Sequence, residues 1–166
     1  MQKVAAQTRL LQGLSVMVVD DNASTRRMVS DVLGAFGVSD VRLASGGAEA
    51  LEMIRHQPPG LALCDWHMVP MDGIAFLKSL RRKDFGHGST TPAIMLTAHT
   101  KPELVKAAME AGANHFVAKP IVPANLLKRI LWVLEDRREF VCVGDRYVLV
   151  ESKPAETAGD PVWLVD

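Results

Sequence analysis

Five side chains stand where apolar runs stop. Asp20 and Asp21 follow Ser15–Val19 (SVMVV), Asp65 follows Leu61–Cys64 (LALC), Thr97 ends Ala93–Thr97 (AIMLT), and Lys119 follows His115–Ala118 (HFVA). Three carboxylates in one crevice repel one another unless one takes up a proton or a cation joins them. Oxygen-only ligands favour a hard cation, and Mg²⁺ sits well on one or two carboxylates with water and phosphate oxygens completing its shell. Lys119 brings an ammonium group and Thr97 a hydroxyl. A carboxylate nucleophile, a metal, a cation and a hydroxyl are the parts of a phosphoryl-transfer site. Asp65 is the natural nucleophile because it stands alone on its strand.

These residues need a scaffold that brings strand ends together. Four of the runs are those above, and Val41–Ala44 (VRLA) is the fifth. Most are apolar without alternation, as strands covered on both faces are. Between and after them lie helical stripes: Met28, Val29, Val32, Leu33, Phe36; Ala50, Leu51, Ile54; Ile74, Phe76, Leu77, Leu80; Leu104, Val105, Ala108, Met109; and Leu127, Ile130, Leu131, Leu134. Asn22 and Asp72 are candidate N-caps, Pro102 and Pro123 sit near helix starts, and Gly37 and Gly112 follow helix ends. Strand–helix alternation repeated five times predicts a parallel α/β sheet with helices on both faces. In such a sheet ligands bind beyond the carboxyl ends of the strands, where the five polar residues collect.

With the residues VVDDNASTRRMV, DWHMVPMDG, MLTAHT and AGANHFVAKP in this order, the chain resembles the receiver domain of bacterial two-component response regulators, of the chemotaxis-regulator type, over residues 14–138. The resemblance implies a doubly wound, flavodoxin-like sheet of order 2-1-3-4-5. It implies that Asp65 accepts phosphate from a sensor histidine kinase or phosphotransfer protein. It makes Asp20, Asp21, Asp65 and the main-chain carbonyl of His67 ligands of Mg²⁺, Thr97 a switch hydroxyl, and Lys119 the phosphoryl-oxygen partner with a cis bond to Pro120. Phe116 falls where the family often has a switch aromatic. Output is expected by contact with a downstream protein, through the fourth helix, fifth strand and fifth helix of the alternating set. The chain would then be a switch that catalyses only its own phosphorylation and dephosphorylation.

Two features depart from the family pattern. Pro70 stands one place later after Asp65 than the family's Asp-x-x-Met-Pro loop has it. His67 and His99, each two residues beyond a site residue, occupy positions that flank the phosphoryl group in the family. They are expected to tune phosphoryl lifetime, with an imidazole-dependent response near neutral pH. Other readings are a phosphatase of the haloacid-dehalogenase type, a receiver-like module that is never phosphorylated, and a flavin carrier. The first usually has Asp-x-Asp on its first strand instead of the adjacent Asp20-Asp21; the second leaves the acids and Lys119 without a task. The third lacks a Ser/Thr/Gly-rich phosphate loop after the first strand.

Composition sets the outer limits. Nineteen basic and nineteen acidic residues balance in 166, so no general electrostatic pull toward nucleic acid or anionic membrane is expected. No apolar run approaches the roughly 20 residues that span a bilayer, and residues 1–13 lack the apolar core of a signal peptide. With only Cys64 and Cys142, a disulfide framework is not expected, and a cytoplasmic setting is. Val4, Leu10 and Leu11 suggest a short amphipathic helix in this N-terminal segment. Residues 139–166 read as an extension: a hairpin turning at Gly144-Asp145, a flexible polar linker over 152–161, and an apolar Val162–Val165 that should dock somewhere. The extension could also make a homodimer. Arg81-Arg82-Lys83 and Arg137-Arg138 are expected to complement helix C-termini.

Overall fold

In the computed structural model, which describes residues 2–151, strands and helices alternate as the periodicity requires. The order is α1 (Gln2–Gln12), β1 (Ser15–Val19), α2 (Ala23–Ala35), β2 (Asp40–Ala44), α3 (Gly47–His56), β3 (Leu61–Asp65), α4 (Gly73–Leu80), a 3₁₀ turn (Lys83–Phe85), β4 (Ala93–Thr97), α5 (Pro102–Glu110), β5 (His115–Ala118), α6 (Pro123–Leu134), β6 (Glu139–Val143) and β7 (Arg146–Val150). Five strands form one parallel sheet in the order β2-β1-β3-β4-β5, and β6 and β7 form a separate antiparallel pair. The linker and the Val162–Val165 run lie outside the described residues.

The unbroken apolar strands are explained by two cores. Val16 and Val18, Leu61 and Leu63, Ile94 and Leu96, and Val117 face Val29 and Leu33 of α2 and Leu126, Ile130 and Val133 of α6. Met17, Val19, Ala62, Cys64, Ala93 and Met95 face the opposite way, against Ile54 of α3, Phe76, Leu77 and Leu80 of α4, and Ala108 of α5. Successive strand residues point to opposite faces, so both sets must be apolar. Burying one large side chain in either core stabilises the fold by roughly 1.5–3 kcal/mol. α1 adds Leu11 to the α2–α6 core and leaves Leu10 exposed.

Caps place the helices that enter the strand-end crevice. The Asn22 side chain accepts the Thr25 N–H, and the Asp72 side chain accepts the Ala75 N–H, each worth about 1 kcal/mol. Pro102 and Pro123 open α5 and α6, where a missing N–H costs nothing. The hairpin turns at Gly144, whose φ is +65°, a left-handed conformation that glycine adopts without a Cβ clash.

The hairpin is tied to the sheet domain through Arg81. The Tyr147 N–H donates to the Arg81 carbonyl and the Lys83 N–H to the Asp145 carbonyl, both at 2.7 Å, and Arg82 bridges Arg146. The basic run was expected to complement helix C-termini, and its members stand in different settings. Arg82 pairs with Asp84 at the surface. Arg81 is fully buried: its guanidinium donates to the Gly112 carbonyl twice and to the Ser89 carbonyl, and lies 4.2 Å from the centre of the Phe140 ring. Gly112 follows the end of α5, so Arg81 serves a helix C-terminus from the inside and on another helix.

Candidate functional site

β1, β3, β4 and β5 are neighbours, so their carboxyl ends open on one crevice. One carboxylate oxygen from each of Asp20, Asp21 and Asp65 lies within 4.8 Å of the others. Lys119 reaches across from β5. Its Nζ donates to Asp65 Oδ1 at 2.6 Å and lies 3.7 Å from Asp20 Oδ2. Four of the five residues singled out above therefore meet.

Asp20 is 1% exposed. Its Oδ1 accepts the Asn22 N–H, and its main-chain carbonyl accepts Arg26, but Oδ2 is buried without a hydrogen bond. Burial pushes its pKa up, with the charges of Asp65 and Asp21 adding to the effect against Asn22 and Lys119. One ammonium group does not balance three carboxylates, and an unpartnered buried carboxylate oxygen is costly. An all-oxygen donor set with such an atom fits a hard divalent cation. Asp21 is exposed and accepts the Val69 N–H at 3.3 Å, which holds the β3–α4 loop over the acids. Val69-Pro70 and Lys119-Pro120 are both cis.

The fifth residue is engaged elsewhere. The Thr97 hydroxyl accepts the His99 N–H and donates to the His99 carbonyl, each at 3.0 Å. The His67 and His99 rings meet edge to face, 5.3 Å apart, so the β3–α4 and β4–α5 loops touch through two imidazoles. Phe116 is half-buried against the α3–α4–α5 core.

One contributor to the site, Gly73, and one buried histidine away from it, His115, were not foreseen. Gly73 opens α4 so close to β3 that a Cβ there would stand 2.6 Å from the Asp65 carbonyl oxygen and overlap Met95; its N–H donates to the Trp66 carbonyl at 2.8 Å. The Met-Asp-Gly sequence was the available signal, since a glycine beside an N-cap can mark close backbone approach. His115 lies on β5 with its ring edge-on to Trp132 at 4.8 Å, and its Nδ1 accepts the Phe116 N–H. Burial pulls its pKa down to about 4, and Arg129 and Arg138 act in the same direction. Arg138 stacks on Trp132 and binds Asp136 and the Asn114 carbonyl. Cys64 is buried behind Asp65, where burial pushes its thiol pKa up, and it is not disulfide-bonded.

The model of the response regulator receiver domain matches residues 16–131. The chain is 31% identical over 127 residues to the chemotaxis protein CheY-3 of Vibrio cholerae, covering 76% of this chain and 95% of that one. Among solved structures it resembles V. cholerae CheY4, with 34% identity, a TM-score of 0.66, and coverage of 72% and 98%. It also resembles the receiver domain of the Arabidopsis thaliana histidine kinase CKI1, solved in complex with Mg²⁺ and BeF₃⁻, with 25% identity, a TM-score of 0.67, and coverage of 80% and 97%.

Proposed function

The chain belongs to the response regulator receiver family, whose members are phosphorylation-activated signalling switches, and from that premise we propose that Asp65 is its phosphoacceptor. The observation that carries the proposal is the 2.6 Å contact of Lys119 Nζ with Asp65 Oδ1 inside a three-carboxylate cluster. A free Asp65 oxygen attacks the phosphorus of a phosphohistidine on a sensor kinase or phosphotransfer protein. The P–O bond forms as the P–N bond breaks, and the bonding pair leaves with the donor imidazole. Lys119 then has a phosphoryl oxygen within reach of its ammonium group. Asp20, Asp21, Asp65 and the His67 carbonyl are the groups that would hold Mg²⁺, which when bound supplies positive charge against the phosphoryl oxygens.

Thr97 supplies the route outward. Its hydroxyl must leave the His99 backbone to reach a phosphoryl oxygen, which frees the loop before α5. Phe116, on the next strand, responds beside it, and α5, β5 and α6 present the result to a downstream protein. This is population shift between two packings, not turnover of a substrate. His67 and His99 close one side of the crevice and govern how long the phosphoryl group lasts. Residues 14–138 form the receiver unit and residues 139–166 its extension. The adjacent Asp20-Asp21 pair and the family match leave the hydrolase and never-phosphorylated readings without support. Among the described residues no helix is long and apolar enough to cross a membrane.

The test is mass spectrometry after incubation with Mg²⁺ and acetyl phosphate. One base-labile phosphoryl adduct is expected on the wild type and none on Asp65→Asn. An adduct that persists in Asp65→Asn, or none on the wild type, overturns the assignment.

A further inference from the structure

Away from the acidic crevice, a cleft of about 760 Å³ opens between α4, α5 and β7. Its apolar lining includes Ile74, Met109, Val148 and Leu149. Its charged lining is Lys78, Lys106 and Arg146 against one acid, Glu110, which pairs with Lys106 at 3.8 Å. The cleft is thus apolar within and carries a surplus of positive charge.

The chain itself carries a segment of the complementary kind. Residues 154–166 contain Glu156, Asp160 and Asp166, no Lys or Arg, and the apolar run Val162-Trp163-Leu164-Val165. Two lining residues, Val148 and Leu149, belong to β7, which ends at Val150. From Glu151 to Val162 is eleven residues, a reach of up to about 36 Å. We propose that Val162–Val165 docks in this cleft in cis, with Trp163 among the apolar residues and the preceding acids against Lys78 and Arg146. A short tether confers an effective concentration on the order of 1 mM, so even a modest intrinsic affinity suffices, and the same segment on a second copy at micromolar concentration is outcompeted. A segment seated there covers one flank of α5. The proposal does not depend on the phosphorylation of Asp65.

Amide NMR of the full chain tests it. Trp163→Ala should shift resonances at Lys78, at Met109 to Gly112 and at Val148 and Leu149, and the pattern should be unchanged on tenfold dilution. With an intrinsic dissociation constant tenfold below the effective concentration, amides 162–165 exchange about tenfold more slowly than in the free peptide. The surface double variant Lys78→Glu, Arg146→Glu should abolish that protection while leaving the sheet amides protected. Shifts confined to another surface, or no shifts, overturn the proposal. Shifts or protection that vanish on dilution also overturn it, because they assign the cleft to a second copy.

Discussion

Replacing Asp20 by Asn should stabilise the metal-free protein and weaken its hold on magnesium. Asp20 Oδ2 lies 3.7 Å from Lys119 Nζ, an attraction of about 4.5 kcal/mol at an effective dielectric constant near 20. The Asp65 ligand oxygen lies within 4.8 Å, a repulsion of at least about 3.5 kcal/mol on the same scale. The two largely cancel. What remains is repulsion from Asp21, screened by that residue's exposure, and the cost of keeping a charge on a carboxylate that is 1% exposed with one oxygen unbonded. Asparagine keeps the oxygen that accepts the Asn22 N–H and removes the charge, so a gain of about 1–2 kcal/mol is expected. The assay is urea denaturation in EDTA, repeated with magnesium. At ten times its dissociation constant the metal should stabilise the wild type by about 1.4 kcal/mol, whereas Asp20→Asn should bind magnesium at least tenfold more weakly. Binding can be followed by Trp66 fluorescence, since Trp66 adjoins Asp65. A metal-free variant less stable than the wild type, or one that binds magnesium as well, would refute the reasoning.

Two further outcomes follow from buried groups. His115 has its pKa pulled from 6.5 to about 4 by burial, so its neutral form favours the folded state. That contribution is fully present above pH 6.5 and is lost as pH falls toward 4, by up to about 3 kcal/mol; the stability of His115→Gln should change less over that window, and parallel pH profiles would contradict the assignment. Arg81→Met strips the buried Gly112 and Ser89 carbonyls of their donors and should cost about 2–4 kcal/mol. Hydrogen exchange should show residues 139–150 loosening first, and a hairpin that stays protected would count against the link.

The strands were legible because burial on both faces leaves one pattern, an unbroken apolar run such as Val16–Val19, and the acidic crevice because its charges sit where those runs stop. Asn22 and Asp72 cap helices as expected because a cap is a local interaction three residues long. Arg81 was not legible as a buried cation, since its acceptors lie 8 and 31 residues away and a basic run carries no mark of burial. Gly73 was not legible as a point of close approach, because the Asp65 backbone that excludes its Cβ belongs to another element. The engagement of Thr97 with His99 was likewise hidden: residue types say which groups gather, but not which way a hydroxyl turns before a ligand arrives.

The Arg81–Phe140 stack separates two kinds of boundary. The receiver-family match ends at residue 131, inside α6, yet the Arg81 guanidinium at the end of α4 is roofed by Phe140, nine residues beyond that boundary. A chain trimmed to the homologous portion would carry a water-exposed cation in place of a sealed one and lack the Arg138 clamp on Asn114. The family-matched region and the set of residues that seals its own buried groups therefore differ in length, and an expression boundary for isolated study belongs after Val150.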